Sequence, residues 1–150
     1  MNYDVIIVGA GPGGIFSAYE LVKLTKSKNK NAKIAIFEAG APLEKRHCPI
    51  DGEKIKSCIG CKHCSIMKGF GGAGAFSDGK YNITTQFGGT LHDHFGKKTA
   101  LELMHYVDEI NISHGGEGTK LYTTANSDIK TLCMQKGLYL LDASVRHLGT

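Results

Sequence analysis

Tryptophan is missing from the 150 residues, proline occurs three times, and aromatic residues make up only 8% of the chain. A nucleic-acid surface built on base stacking has little material here, and no basic stripe with interleaved aromatics replaces it. A large excess of one charge is also missing. The net charge of +4 is what a solvated lysine-rich surface produces, and no polyanionic partner is needed to explain it. No apolar run approaches membrane-spanning length. The start, Met1-Asn2-Tyr3-Asp4, lacks a basic n-region, so no secretory signal is read and a cytoplasmic protein is expected. No Ser-His-Asp or metalloprotease pattern occurs, and no catalytic acid or base can be named.

What is present is concentrated. Apolar residues reach 41%, enough for an ordinary core, and the length predicts one domain. The 20 glycines are clustered, which points to loops where backbone approaches something closely. Of five cysteines, four fall between Cys48 and Cys64. That odd, crowded count fits reduced thiols or metal ligation better than a secreted disulfide scaffold.

Tyr3 to Val8 is apolar and β-branched and predicts a buried parallel strand. Residues 13–25 have helical periodicity, with Ile15, Ala18, Leu21, Val22 and Leu24 as the apolar stripe. Lys33 to Phe37 predicts a second strand ending at Glu38, joined by a right-handed crossover. Residues 39–68 are irregular, a length of loop that is usually functional or disordered. A turn at Asp78-Gly79 and a short strand over Tyr81–Thr85 follow. A helix is expected over 98–113, with Leu101, Met104, Val107 and Ile110 inward and Gly115 and Gly116 ending it. A third runs from a cap at Asn126 or Ser127 to Lys136, stopped by Gly137. Leu138–Val145 then predicts a strand.

Gly9-Ala10-Gly11-Pro12-Gly13-Gly14 is a GxGxxG hexad, weak alone but strong between a strand and a helix, with an acidic residue closing the next strand. Gly9 permits the tight turn. Gly11 removes a Cβ that would block a diphosphate, and Gly14 lets the helix pack on the sheet. Free N–H groups at the helix start then meet the phosphate charge. Pro12, with no N–H to lose, suits the first turn. Glu38 would accept hydrogen bonds from ribose hydroxyls and repel a 2′-phosphate, which argues against NADP. The polar insertion Lys26–Asn31 delays it. A glycine-rich turn without a ligand is the plain alternative.

These residues, with Ala18, Leu21 and Ile34-Ala35-Ile36-Phe37-Glu38, resemble the N-terminal FAD fingerprint of glutathione-reductase-like flavoproteins. The preference for FAD over NAD rests on that resemblance. Further on, Glu44-Lys45-Arg46, Cys48-Pro49, the cysteine group and Gly69-Phe70-Gly71-Gly72-Ala73-Gly74-Ala75-Phe76-Ser77-Asp78-Gly79-Lys80 are similar to a family of bacterial and archaeal FAD-dependent dehydrogenases. Arg146 to Thr150 looks like another segment of it. The resemblance implies an N-terminal fragment: family members are several times longer, with a substrate domain and a late Gly-Asp segment that closes over the flavin. It also implies Arg46 near the AMP part. A small-molecule substrate, and NAD(P)H, would be met through regions beyond this chain.

The small residues Gly71, Gly72, Ala73 and Gly74 would form a backbone shelf against the flavin, with Ser77 adding a hydroxyl and Lys80 stabilising an anionic reduced ring. Ser77-Asp78-Gly79-Lys80 is equally a hairpin signal. Cys48-x9-Cys58-x2-Cys61-x2-Cys64 can place thiolates around one point. The spacing is like that of [4Fe–4S] motifs, and four thiolates also suit zinc, with His47 and His63 as borderline ligands. A redox dithiol such as Cys61 with Cys64, or unliganded thiols, fits too. Cys133 reads as a buried apolar residue. His92-x-His94 reads as a polar loop before a helix, and His105 and His114 as surface or capping residues.

The expected fold is α/β, an incomplete Rossmann-like FAD/NAD(P)-binding fold with a long Cys- and Gly-rich loop after the first βαβ unit. Residues 1–40 form that unit, 41–80 the loop and 81–150 a mixed α/β segment. The expected cofactor set is Gly9, Gly11, Pro12, Gly13, Gly14, Glu38, Ala39, Arg46, Gly71, Gly72, Ala73, Gly74 and Ser77. The expected metal set is Cys48, Cys58, Cys61 and Cys64. The expected activity is FAD-dependent oxidoreduction. An NAD-binding dehydrogenase fragment and a non-enzymatic, cysteine-held metal module remain as rivals. No nucleic-acid or membrane partner is expected, and no oligomeric state can be read.

Overall fold

The computed structural model describes residues 2–125 and 127–149. The fold is mixed α/β, and the chain divides after Ser77 into two units rather than one.

In the first unit β1 (Val5–Val8) pairs in parallel with β2 (Ile34–Phe37), Val5 opposite Ile34 and Val8 opposite Phe37. Between them runs α1 (Pro12–Ser27). The pairing extends at both ends. Asp4 N–H donates to Lys33 O at 2.9 Å, and Gly9 N–H donates to Phe37 O at 2.7 Å. The expected boundaries therefore hold to within a few residues, but burial does not. Ile6 is 57% and Val8 87% exposed, because the sheet has two strands and α1 packs on one side only. Ile15, Ala18 and Leu21 are half-buried on that side, whereas Val22 and Leu24 are exposed. Residues 39–72 are irregular except for a 3-10 turn at Leu43–Lys45. A second 3-10 turn spans Ala73–Phe76.

The second unit is antiparallel. Strands β3 (Lys80–Ile83), β4 (Leu121–Thr123) and β5 (Ser144–His147) lie in the order β3-β5-β4. The strand expected over Leu138–Val145 thus starts six residues later, at Ser144, and β4 was not foreseen. Asp78-Gly79 is not a hairpin turn, since β3 pairs with β5: Lys80 faces His147 and Ile83 faces Ser144. The glycine serves close packing instead. At φ +69° it stacks on Gly149, and Leu148 N–H donates to Gly79 O at 2.8 Å.

Helix α2 (Leu91–Asn111) is broken at Gly96, whose φ of 76° and ψ of 157° are not helical. His92 and His94 thus occupy a helical turn ahead of that break, not the loop expected. After it, Leu101, Met104, Val107 and Ile110 form the expected half-buried row. A wide turn over Ile112–Gly116 closes the helix, with Gly115 at φ +113°. Helix α3 (Asp128–Gln135) is capped by Ser127, whose Oγ accepts from Lys130 N–H. Asn126, the alternative cap, lies outside the described residues.

The densest polar packing in this unit was not anticipated. Buried Arg146 donates from Nε and Nη2 to the two carboxylate oxygens of buried Asp108, at 2.7 and 2.9 Å, and from Nη1 to Thr119 O. Tyr81 Oη donates to Met104 O at 2.9 Å. Burial, with the Asp108 charge nearby, pushes the Tyr81 phenol up to about 12.

Candidate dinucleotide site

The site is assembled from three segments of the first unit. The first is the turn from β1 into α1. Gly9 has φ +97°, which a residue with a side chain rarely adopts. A Cβ on Gly14 would fall inside the Gly9 carbonyl group, so the glycine lets the helix start directly against the strand end. Around Gly11 and Gly13 the situation is the reverse: a Cβ on either would meet nothing within 4 Å. These residues face open space.

With Pro12 at the first helical position, the first α1 amide to find an acceptor is that of Ile15, which donates to Gly11 O at 3.0 Å. The amides of Gly11, Gly13 and Gly14 have no acceptor among the described residues, and no side chain caps the helix. Open space and unsatisfied donors coincide at the positive end of a helix of 16 residues.

The second segment is Glu38 with the residues after it. One carboxylate oxygen accepts from Ala10 N–H and the other from Gly40 N–H, each at 2.8 Å. These two bonds, the Ala10 one first, hold the carboxyl below the usual glutamate range. Lys68 and Arg46 add smaller contributions. The acid is therefore ionised at neutral pH and fixed beside the glycine turn, with lone pairs remaining on both oxygens.

The third segment is the second glycine loop. Gly71 N–H donates to Ala10 O at 2.8 Å, tying this loop to the first. Gly72 adopts φ 61° and ψ −159°, and a Cβ there would approach Gly11 Cα at 3.1 Å and Pro12 Cδ at 3.2 Å. Gly74 stands over the Pro12 ring. Two loops about sixty residues apart thus touch backbone to backbone.

Arg46 holds the third segment in place and requires a correction. It was expected near the AMP part of a cofactor. Instead it is 2% exposed. Its Nε donates to Ser65 O, Nη2 to Ile66 O, and Nη1 to Phe70 O and Gly72 O, at 2.6 to 2.9 Å. The guanidinium also lies 4.7 Å from the centre of the Phe76 ring. A planar, always-charged fork satisfies several carbonyls of an irregular loop at once, which no other side chain does. Ala39 and Gly40 line a cavity of about 220 Å3 with His63, Cys64 and Lys68, beside Glu38.

Of the remaining expected residues, Ser77 ends this unit, closing the Ala73–Phe76 turn with its N–H donating to Gly74 O at 3.2 Å. Lys80 belongs to the second unit, where its ammonium pairs with Asp78 at 2.9 Å. Cys133 is half-buried. Among the described residues no three His, Cys, Asp or Glu side chains converge as metal ligands.

A stretch of 43 residues is 44% identical to the mitochondrial electron transfer flavoprotein-ubiquinone oxidoreductase of Arabidopsis thaliana. The stretch covers 29% of this chain and 7% of that relative, so the similarity to a flavoprotein oxidoreductase is local. No family model matches the chain, and no solved structure does.

Proposed function

We propose that the first unit holds the ADP half of FAD, as the start of a Rossmann-like domain, and that the chain is the N-terminal FAD-binding portion of an FAD-dependent oxidoreductase. One observation carries the reading. An ionised carboxylate is locked against the Ala10 amide, in the same turn whose Gly11, Gly13 and Gly14 amides lack acceptors among the described residues and whose Gly11 and Gly13 face open space. A diphosphate would satisfy those amides, and a ribose diol would donate to Glu38. FAD, when bound, supplies the hydride and electron chemistry. The residues of this chain bind and orient it. Gly72 keeps the second loop against the first, and Arg46 keeps that loop in shape.

FAD rather than NAD is supported by the family resemblance and by the flavoprotein similarity. Glu38 disfavours NADP by charge, since a 2′-phosphate would be set against a carboxylate. The test is retention of yellow chromophore and quenching of FAD fluorescence by the full chain. A valine at Gly72 is expected to lower FAD affinity by at least about tenfold, because a branched Cβ there would push the second loop off Gly11 and Pro12. Equal affinity in Gly72→Val would remove the second loop from the site. NAD bound in preference to FAD would establish the rival reading.

A further inference from the structure

We propose that the second unit carries a ligand site of its own, for a small uncharged polyol of single-ring size, a monosaccharide or a cyclitol. A cavity of about 240 Å3 lies at one end of the antiparallel sheet, where β3 runs out, β5 begins, and Leu101 and His105 of α2 stand alongside. Its walls are fixed by hydrogen bonds. Thr84, 4% exposed, donates from Oγ1 to Asp142 O at 2.8 Å and accepts there from Gln86 N–H at 3.1 Å. One buried hydroxyl thus ties the segment after β3 to the segment before β5. From the β4 side, Thr124 Oγ1 donates to Leu141 O at 2.6 Å and accepts from Ala143 N–H at 3.0 Å. Residues 141–143 are clasped between two threonine hydroxyls. The Asp142 side chain is held in turn by Lys130 of α3, whose ammonium donates to Oδ1.

The lining is divided in character. Ile83, Leu101 and Ala143 supply an apolar floor. Beside it stand the hydroxyl of Thr85, the carboxamide of Gln86 and the imidazole of His105. None of these three side chains has a polar partner among the described residues, and Asp142 Oδ2 has none either. No lysine or arginine lines the cavity, and its one carboxylate is already paired with Lys130.

The ligand chemistry follows from that set. A carboxamide, a hydroxyl and a neutral imidazole each donate and accept, and a carboxylate oxygen accepts. Ligand hydroxyls do both as well, so a run of them round a ring can be satisfied on such a rim. The C–H face of the same ring then lies on Ile83 and Leu101. A few placed polar groups over an apolar floor are what small-molecule sites share, and drug-sized sites occupy about 300 to 1,000 Å3. A cavity of about 240 Å3 falls below that range, which sets the ligand at one ring. The proposal rests on neither FAD nor the first unit, and either reading can fail without the other.

The test is titration of the full, nitrogen-15-labelled chain with D-glucose, D-ribose and myo-inositol, and with cyclohexanol as a ring that lacks the hydroxyl set. At least one polyol is expected to shift the amides of Thr85, Gln86, Ala143 and Ser144 saturably, whereas cyclohexanol leaves them in place. Gln86 and His105 are exposed, so Gln86→Leu and His105→Leu should fold, and each is expected to weaken that binding about fivefold through a lost hydrogen bond. The wild-type titration decides without any variant. No saturable shift at those four amides with any of the three polyols would overturn the proposal. So would cyclohexanol binding as tightly as the polyols, or equal polyol affinity in both variants.

Discussion

At the scale of single residues, Glu38 and Arg46 divide the work of the site between charge and shape. Glu38 is held ionised by two backbone amides, so its contribution to stability has a definite sign with pH. It is fully present above the unfolded glutamate value of about 4.3 and is lost as pH falls through the lowered folded value. Replacement by Gln keeps the size but removes the charge. Acid unfolding of Glu38→Gln, followed by circular dichroism, should show a flatter limb below about pH 4.3, and FAD affinity at neutral pH should fall. An unchanged acid limb would mean that the two amide bonds do not persist in solution.

Arg46 makes the opposite prediction. Arg46→Met leaves carbonyls of residues 65, 66, 70 and 72 without their donor and should cost about 3 kcal/mol of unfolding free energy in urea titration. Arg46→Lys should recover only part of that, since a single ammonium cannot span four carbonyls. If Arg46→Met kept full stability and lost only FAD affinity, the cofactor-contact expectation would be restored.

At the scale of elements, the regular parts were legible because they obey short-range rules. The hexad, the apolar stripe of α1 and the second strand are local patterns, and β1, α1 and β2 formed close to the expected limits. The α2 row from Leu101 to Ile110 was legible for the same reason. What failed depended on distant partners. The antiparallel ladder of β5 with β3 and β4 begins only at Ser144, because pairing to Lys80–Ile83 and Leu121–Thr123 sets its register. Local apolarity over Leu138–Val145 carries no information about that pairing.

The role of Arg46 was hidden similarly. Nothing around Glu44-Lys45-Arg46 says that its acceptors are carbonyls nineteen to twenty-six residues later. The Asp108–Arg146 pair spans thirty-eight positions, and its only local hint is an acid on the inward side of a helix. Removing one partner strands the other. Arg146→Met should destabilise the second unit by about 3 to 5 kcal/mol, read as faster amide exchange across β3, β4 and β5. Exchange rates like those of wild type would show the pair to be dispensable.

At the scale of the whole molecule, the chain is two units of different character. One is a parallel β1-α1-β2 crossover carrying two glycine loops and the cysteine loop. The other is an antiparallel sheet with α2 and α3. No helix among the described residues is long and apolar enough to cross a membrane. The parallel pair leaves Ile6 and Val8 exposed on the face that α1 does not cover.

The measurement that bears most directly on the dinucleotide reading is amide NMR of the full, nitrogen-15-labelled chain, titrated with FAD and, separately, with ADP. The Gly11, Gly13 and Gly14 resonances should move most, with the same pattern for both ligands, and Glu38→Gln should weaken the response. Binding that leaves those three amides unmoved while shifting others would contradict it.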